Sequence, residues 1–318
     1  MRRRVLVTGA TGMLGRRLAR DLRLGGCAVF GLARQPLAEE PDGQDWLPLS
    51  GDVRDPGSAL RAVQLSDPDL IFHLSAAQAG ATQKPLPRTL YETNLAGTLN
   101  LLLAAVEAAP RARLIVVGSG VEYGPQPDPR GRRRLRETDP PRPATPYGAS
   151  KHAATQAALA MAAAHDLDLT VVRLFNLLGP SRQSAGAPAW FARQVAEMEA
   201  GQRPPVLTCR NLASVRDFLD VRDASRALCL LGESAPQHRL YNLCSGQGSS
   251  LRTLVDHLCR LSRLPASAIA VAEEGGGADR LVGDPGRLQR ETGWAPAVPL
   301  TDALQALLDH WRSSAVPR

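Results

Sequence analysis

The feature that most constrains this chain is a glycine-rich segment near its beginning, TGATGMLG at residues 8–15. An apolar run at 5–7 precedes the segment, and residues 16–24 have the apolar spacing of an amphipathic helix. The pattern therefore predicts a tight turn from a strand into a helix. Backbone N–H groups at such a helix start bind a dinucleotide pyrophosphate, and glycines let the backbone approach it closely. The spacing GxxGxxG differs from the general GxGxxG, so a purely structural turn is the alternative.

Further apolar runs alternate with helical patterns along the first half of the chain. The runs that predict strands lie at 27–32, 47–49, 70–74, 114–117 and 169–174, and those that predict helices lie at 89–108 and 147–165. Strands that alternate with helices imply an α/β fold, in which a doubly wound parallel Rossmann sheet carries helices on both faces. Ligands of such sheets bind at the carboxyl ends of the strands.

The pattern loosens after Gly179 and predicts a smaller α/β lobe that closes over the sheet. Its predicted helices lie at 188–200, 221–233, 250–262 and 300–311, with short strands at 206–207 and 240–243 and a glycine-rich loop at 273–278. We expect a Rossmann domain over 1–176, rejoined by about 211–245, and a lobe over most of 177–318.

Charge and cysteine usage favour some classes of protein over others. The formal charge is +7, but the densest basic run, at 130–136, lies in a Pro/Gly-rich loop, and aromatic residues are only 4% of the chain. A solvated loop therefore explains this run better than a nucleic-acid patch. No apolar run reaches the length of about 20 residues that spans a membrane, and the first residues do not resemble a signal peptide. Five scattered cysteines fit reduced cytoplasmic thiols and no metal centre.

The segment YGASK at 147–151 carries the clearest candidate for acid–base chemistry. Tyr147 and Lys151 are four residues apart at the start of a predicted helix, so both side chains lie on one face. A nearby ammonium favours the phenolate and so lowers the tyrosine pKa from about 10 toward neutrality. A solvated helix face is the alternative, but Lys151 is one of only two lysines among the 38 Lys and Arg residues.

A set of short motifs resembles the extended short-chain dehydrogenase/reductases, which are also described as the NAD-dependent epimerase/dehydratase family. The motifs are TGATGMLG at 8–15, GDV at 51–53, LSAA at 74–77, NLAGT at 94–98, VGSGVEYG at 117–124, YGASK at 147–151 and RLFNLLGP at 173–180. The resemblance implies a Rossmann domain that binds NAD(P), a C-terminal lobe that binds a nucleotide-diphosphate sugar, and a homodimer.

The resemblance also implies roles for individual residues. Ser119, Tyr147 and Lys151 would form the catalytic set, and Asn94 would support the lysine through water. The implied cofactor-binding residues are Gly9, Thr11, Gly12, Met13, Leu14, Gly15, Arg34, Asp52, Val53, Leu74, Ser75, Ala76, Tyr147 and Lys151. Among them, Asp52 and Val53 would contact the adenine.

The C-terminal half is similar to one branch of that family, the GDP-4-keto-6-deoxy-mannose reductases and related nucleotide-sugar 4-ketoreductases. The matching segments lie at 191–201, 211–228, 240–246 and 281–296. The implied substrate-binding residues are Ser119, Gly120, Asn176, Arg216 and Arg280. Arg216 would lie at the diphosphate, which a guanidinium can hold through two parallel hydrogen bonds.

Two questions stay open within this branch. Asp217 and Asp223 are either functional or structural caps. Around 275–280 the chain is shorter and richer in glycine than the branch, so both GDP and dTDP are candidates for the nucleotide.

A few positions separate the activities that the resemblance allows. Nucleotide-sugar 4,6-dehydratases carry an acid where this chain has Gly120 and Val121, and the GDP-fucose epimerase/reductases have a cysteine in place of Val121. A 4-epimerase typically has an acid at the adenosine ribose, whereas this chain has Arg34, which suits the 2′-phosphate of NADP(H). These differences favour NADPH-driven reduction of a 4-keto-6-deoxyhexose. A 4-epimerase, a non-catalytic NADP-sensing protein and the use of NAD(H) are the alternatives.

Overall fold

The apolar runs of the first half form the main sheet. The structure, a computed structural model, describes residues 2–35, 46–77, 86–125, 131, 133–181, 186–273, 275 and 278–315. In chain order the strands are β1 (Arg4–Thr8), β2 (Ala28–Ala33), β3 (Trp46–Ser50), β4 (Leu70–His73), β5 (Arg113–Ser119), β6 (Leu169–Leu174), β7 (Asn176–Leu178), β8 (Val206–Cys209), β9 (Val215–Asp220), β10 (Leu240–Leu243), β11 (Gly248–Ser250), β12 (Ala270–Glu273) and β13 (Arg280–Leu281). The helices are α1 (Met13–Leu24), α2 (Pro56–Ser66), α3 (Pro87–Tyr91), α4 (Gly97–Ala108), α5 (Pro146–Ala164), α6 (Ala187–Glu199), α7 (Val221–Glu233), α8 (Leu251–Leu261), α9 (Gly286–Thr292) and α10 (Leu300–Ala315).

The main sheet is parallel and has the order β3–β2–β1–β4–β5–β6–β10. Strand β1 lies at its centre, where Val5 pairs with Val29 of β2 on one side and with Leu70 of β4 on the other. The strand order reverses between β1 and β4, which is where ligands of doubly wound sheets bind. The predicted α/β Rossmann fold is confirmed.

Both faces of this sheet are covered, which explains why its strands are apolar at nearly every position. Successive side chains of a strand point to opposite faces, so Val5 and Val7 pack with α1 and α7, whereas Leu6 packs with α2 and α4. Among the described helices, none is long and apolar enough to cross a bilayer.

The C-terminal lobe is built around β9. This strand pairs with β11 antiparallel and with β13 and β7 parallel, while β8 and β12 form a separate parallel pair. Helices α6, α8 and α10 enclose a core of their own, which includes Phe191, Leu254 and Leu304. The predicted strand at 240–243 joins the main sheet as β10 beside β6.

Local structure departs from the sequence-based predictions in several places, and the elements α2, α9, β7, β11 and β13 were not predicted. The helix predicted at 89–108 is interrupted, because the π-helical turn Glu92–Ala96 separates α3 from α4. Strand β9 was not predicted, since its sequence VRDFLD has neither an apolar run nor strict alternation. Strand β12 was not predicted either, because its side chains are exposed. Residues 130 and 132 of the basic run, and 274, 276 and 277 of the predicted loop, lie outside the described residues.

The two aspartates left open by the sequence are both buried and bonded to the backbone. Asp217 accepts hydrogen bonds from the N–H groups of Ser245, Gly246 and Gly283. Asp223 accepts from two N–H groups of the segment that follows α9, at 297 and 298, both within 2.9 Å. These contacts assign both carboxylates to the packing of loops against β9 and α7.

We predict that Asp223→Ala lowers the free energy of unfolding by about 1–3 kcal/mol, because the two N–H groups at 297 and 298 lose their acceptor. Urea unfolding followed by circular dichroism measures this change. Asp256→Ala, at an exposed position of α8, serves as the control and is expected to change stability by less than about 0.5 kcal/mol. Equal stability of the two variants would contradict the assignment.

Candidate active site

A cavity of about 1210 Å³ lies at the carboxyl ends of the main-sheet strands, between the sheet and the lobe. Every residue that the sequence predicted to bind the cofactor lines this cavity. Ser119, Asn176 and Arg216 line it as well, whereas Asn94, Gly120 and Arg280 do not. The Gly120 position faces the ring of Phe175, and a Cβ atom there would come within 2.8 Å of that ring.

Backbone contacts explain the glycines of the turn between β1 and α1. Gly9 has a φ of +68°, and a Cβ atom on it would lie 2.8 Å from the Ser75 nitrogen. A Cβ atom on Gly15 would lie only 2.3 Å from the carbonyl oxygen of Gly9. Helix α1 begins at Met13, and its N-cap residue Gly12 has no side chain to cover the helix start. The turn therefore presents backbone to the cavity, as a pyrophosphate site requires.

Basic groups lie where the second strand ends. Arg34 follows β2, is exposed and lines the cavity, and no acidic residue stands beside it in the chain. The neighbouring Asp52 is paired with Arg54 at 2.7 Å. The hydrogen bond from Arg54 lowers the pKa of the Asp52 carboxyl, and the charge of Arg34 acts in the same direction. This part of the cavity therefore carries two guanidinium groups and one carboxylate, which is already paired with Arg54.

The N-terminal part of α5 packs against the end of β5 and brings the predicted catalytic residues together. Thr145 caps the helix through the Gly148 N–H, at 3.1 Å. Lys151 is buried, and its Nζ donates a 2.5 Å hydrogen bond to the carbonyl oxygen of Val117. Tyr147 is half-buried and lines the cavity together with Ser119.

Burial dominates the electrostatics of this group. It raises the pKa of Tyr147, against the opposing effect of the Ser119 hydroxyl, and the charge of Glu122 adds to the increase. Burial lowers the pKa of Lys151 to about 8, and the charge of Glu122 opposes that shift. The predicted lowering of the Tyr147 pKa by Lys151 is therefore wrong for this structure, because the ammonium contacts the Val117 carbonyl and desolvation decides the sign.

Asn94 lies in the π-helical turn and fastens two segments behind the cavity. Its Oδ1 accepts from the Ala77 N–H at 2.8 Å, and its Nδ2 donates to the Ala77 carbonyl and to Ser150 Oγ. Ser150 Oγ in turn donates to the carbonyl oxygen of Tyr147 at 2.8 Å. Asn94 thus connects the loop after β4 to the first turn of α5, and its contact with Lys151 through water stays a prediction.

The sequence analysis missed a buried histidine in this region. His73 Nδ1 lies 2.7 Å from Thr8 Oγ1, and its Nε2 lies 3.0 Å from Thr98 Oγ1. Because Thr98 donates its only hydroxyl proton to the Asn94 carbonyl, it accepts from Nε2, and Nδ1 accepts from Thr8. Burial lowers the pKa of His73 to about 3, so the ring stays neutral. The available signal was a histidine at the end of a buried strand, LIFH.

The predicted diphosphate residue, Arg216, is held by a partner that the sequence did not suggest. Its Nη2 contacts both carboxylate oxygens of Asp279, at 2.8 and 2.9 Å, and Ser214 Oγ donates to the same carboxylate. Asn176 Nδ2 donates to the Asp217 carbonyl oxygen at 2.9 Å, which fixes β7 beside β9. Arg280 lies on β13, with its Nε buried.

The sheet order, the glycine turn and the cavity at the carboxyl edge together define a doubly wound nucleotide-binding protein. A sequence profile described as the NAD dependent epimerase/dehydratase family matches residues 5–244. The chain belongs to this family.

Similar proteins within the family differ in the reactions that their names describe. The chain is 30% identical to a GDP-6-deoxy-D-mannose reductase of Pseudomonas aeruginosa, over 98% of both chains. The solved structure of RMD from Pseudomonas aeruginosa complexed with NADPH superimposes with a TM-score of 0.82 at 28% identity, and covers 98% of this chain and 99% of that one. A Thermus thermophilus UDP-glucose 4-epimerase complex with NAD gives a TM-score of 0.83 at 29% identity, over 99% of this chain and 100% of that one.

We predict that His73 makes stability depend on pH. Its folded-state pKa, about 3, lies below the unfolded value of 6.5, so the stabilisation is complete above 6.5 and is lost as pH falls toward 3. Between pH 7 and 5 the free energy of unfolding should fall by about 2 kcal/mol from this group alone. Urea titrations of the wild type and of His73→Asn, which cannot titrate, measure this difference.

His165→Asn provides the matched control, because His165 is exposed after α5. This variant should keep the pH dependence of the wild type. If His73→Asn also keeps the wild-type pH dependence of the free energy of unfolding, the buried neutral His73 does not cause that dependence.

Proposed function

We propose that this protein is an NADPH-dependent reductase of the C4 ketone of a nucleotide-linked 4-keto-6-deoxyhexose. The observation that carries the proposal is the position of a phenol, Tyr147, which lines the cavity together with Ser119 and Lys151. A protonated acid suits a reaction that must deliver a proton to a developing alkoxide. The proposal assigns NADP(H) to residues 1–176, rejoined by about 211–245, and the sugar nucleotide mainly to 177–318.

The cavity fits a dinucleotide on independent grounds. The Gly9–Gly15 contact leaves no space for Cβ atoms, and Arg34 offers a cation at the ribose end. When bound, the cofactor supplies the hydride that reduces the ketone. Ser119 Oγ donates a hydrogen bond to the sugar carbonyl oxygen, and Tyr147 donates the proton to that oxygen. Lys151 then stabilises the phenolate from the same helix face.

The remaining residues bind and orient the substrate. Arg216 lies on the lobe side of the cavity and would hold the diphosphate of a GDP- or dTDP-linked sugar, and Asn176, which also lines the cavity, would contact the sugar. Neither Gly120 nor Val121 can move a proton, so elimination at neighbouring carbons has no acid at these positions.

A 4-epimerase is the competing activity, because relatives with that name are as similar to the chain as the reductases are. The two activities differ in stoichiometry. A reductase consumes one NADPH per product, whereas an epimerase returns its hydride and shows no net change in nicotinamide absorbance.

The proposed function is tested by incubating the protein with NADPH and either GDP- or dTDP-4-keto-6-deoxyhexose. We expect one NADPH oxidised per sugar reduced, and Tyr147→Phe should lose about 10²–10⁴-fold in kcat while still binding NADPH. Absorbance gives the stoichiometry, and NMR of the product gives the C4 configuration. Interconversion of two sugars without NADPH consumption would exclude the reductase.

Cofactor preference gives a separate prediction. The wild type should use NADPH better than NADH in kcat/KM, and Arg34→Ala should narrow that preference by about 10–100-fold, because a charge-assisted hydrogen bond contributes about 1.5–3 kcal/mol. Steady-state kinetics with both cofactors measure the ratio. Arg111→Ala, an exposed arginine just before β5, should leave the ratio unchanged. A wild type that prefers NADH would contradict the role of Arg34.

A further inference from the structure

Glu122 is a fully buried carboxylate beside the catalytic residues, and the mechanism above does not use it as an acid or base. It lies in the short 3₁₀ turn Gly120–Tyr123, directly after β5. One oxygen, Oε2, accepts a 2.9 Å hydrogen bond from Arg173 Nε, and both side chains are at most 2% exposed. A buried charge is costly unless it is paired, and here the Glu122 carboxylate and the Arg173 guanidinium pair with each other.

The other oxygen of Glu122 joins two elements of the site. Oε1 accepts from the Ser119 N–H at 2.8 Å and from Thr155 Oγ1 at 3.0 Å. Ser119 ends β5, whereas Thr155 lies on α5. A single oxygen therefore bonds to the end of the strand and to the helix at the same time.

The position of Thr155 on its helix gives this contact its importance. Tyr147, Lys151 and Thr155 follow one another at intervals of four residues, so all three lie on the face of α5 that packs against β5. Lys151 contacts the Val117 carbonyl of β5, and Thr155 contacts Glu122 one turn further along. These two contacts join the helix face that carries Tyr147 to the end of β5.

We propose that Glu122 is a positioning residue that holds the hydroxyl groups of Ser119 and Tyr147 in register across β5 and α5. The inference rests on the proposed function and names a residue through which that reaction is organised. Because misplacement of a reacting group by about 1 Å can cost 10²-fold in rate, a contact of this kind controls turnover without touching the substrate.

The charge of Glu122 acts on the same pair of residues. After burial, Glu122 contributes to the raised pKa of Tyr147. The titratable and charged groups that face its carboxylate are Arg173 on β6 and the residues Tyr147, Lys151 and His152 on α5, while Tyr123 of the same turn contacts Arg173 through its ring. Removal of the Glu122 charge should therefore lower the pKa of Tyr147.

The positioning role of the Thr155–Glu122 hydrogen bond is tested on the NADPH-dependent enzyme with Thr155→Val. This variant keeps the side-chain shape and loses the hydroxyl group. We expect kcat to fall about tenfold, with KM for NADPH and for the sugar nucleotide within about twofold of the wild type. Thr155→Ser restores the hydroxyl and should recover most of kcat. Unchanged kcat in Thr155→Val, or an equal loss in both variants, would overturn the positioning role.

The effect of the Glu122 charge on the pKa of Tyr147 can be measured without a sugar substrate. The chain has four tyrosines, so the phenolate absorbance of the wild type contains contributions from all of them. The titration of Tyr147 alone is obtained by subtracting the absorbance of Tyr147→Phe from that of the wild type, both with NADP⁺ bound. The same difference is measured between Glu122→Gln and its double variant with Tyr147→Phe. We expect ionisation of Tyr147 at lower pH in the Glu122→Gln background, because the amide oxygen still accepts from the Ser119 N–H but the charge is gone. An unchanged or higher titration midpoint would overturn the inference.

The two measurements separate the inference from the proposed function. If neither 4-keto sugar is reduced by the wild type, the proposed function fails while the titration still decides the influence of Glu122 on Tyr147. If the wild type is active and the Thr155 variants behave alike, the proposed function stands and the positioning role fails.

Discussion

Close backbone packing at the turn between β1 and α1 is the constraint on which the site depends. Gly15 lies against the carbonyl oxygen of Gly9, and Gly9 lies against the backbone of Ser75, with no space for a Cβ atom at either position. The neighbouring Thr8 hydroxyl accepts from the Ser75 N–H and contacts His73. The first turn is therefore fixed to the end of β4 by sterics and by hydrogen bonds.

Much of the fold could be predicted because the main sheet is buried on both faces. Strands such as β5, with the sequence RLIVVGS, show as apolar runs since both side-chain directions enter a core. Strand β9 could not be recognised in the same way, because it carries Arg216, Asp217 and Asp220. β9 borders the cavity and supports loops, and these roles require charged side chains. The charged residues interrupt the apolar pattern from which a strand is predicted.

The residues of the site also fall into a group that could be predicted from the sequence and a group that could not. Residues in contiguous motifs, such as Tyr147 and Lys151, could be predicted because local spacing determines which face of a helix they occupy. Their partners could not, because they are distant in sequence: Asp279 lies 63 residues from Arg216, and Arg173 lies 51 residues from Glu122. Only the folded chain brings such pairs together, and only the folded chain determines how deeply each titratable group is buried. The sign of the Tyr147 pKa shift was mispredicted for this reason.

The charges around Tyr147 suit a site that gives up a proton. His73 is neutral because burial and the charge of Lys151 both lower its pKa, so the imidazole behind the cavity carries no charge. Glu122 and Arg173 compensate each other within hydrogen-bonding distance. Lys151 is then the cation on the tyrosine's own helix face, held back by the Val117 carbonyl. An ammonium so placed does not ionise the phenol in advance. In the proposed reduction it would stabilise the phenolate once the proton has moved to the substrate oxygen, and stabilisation that grows with the developing charge lowers the barrier to such a step.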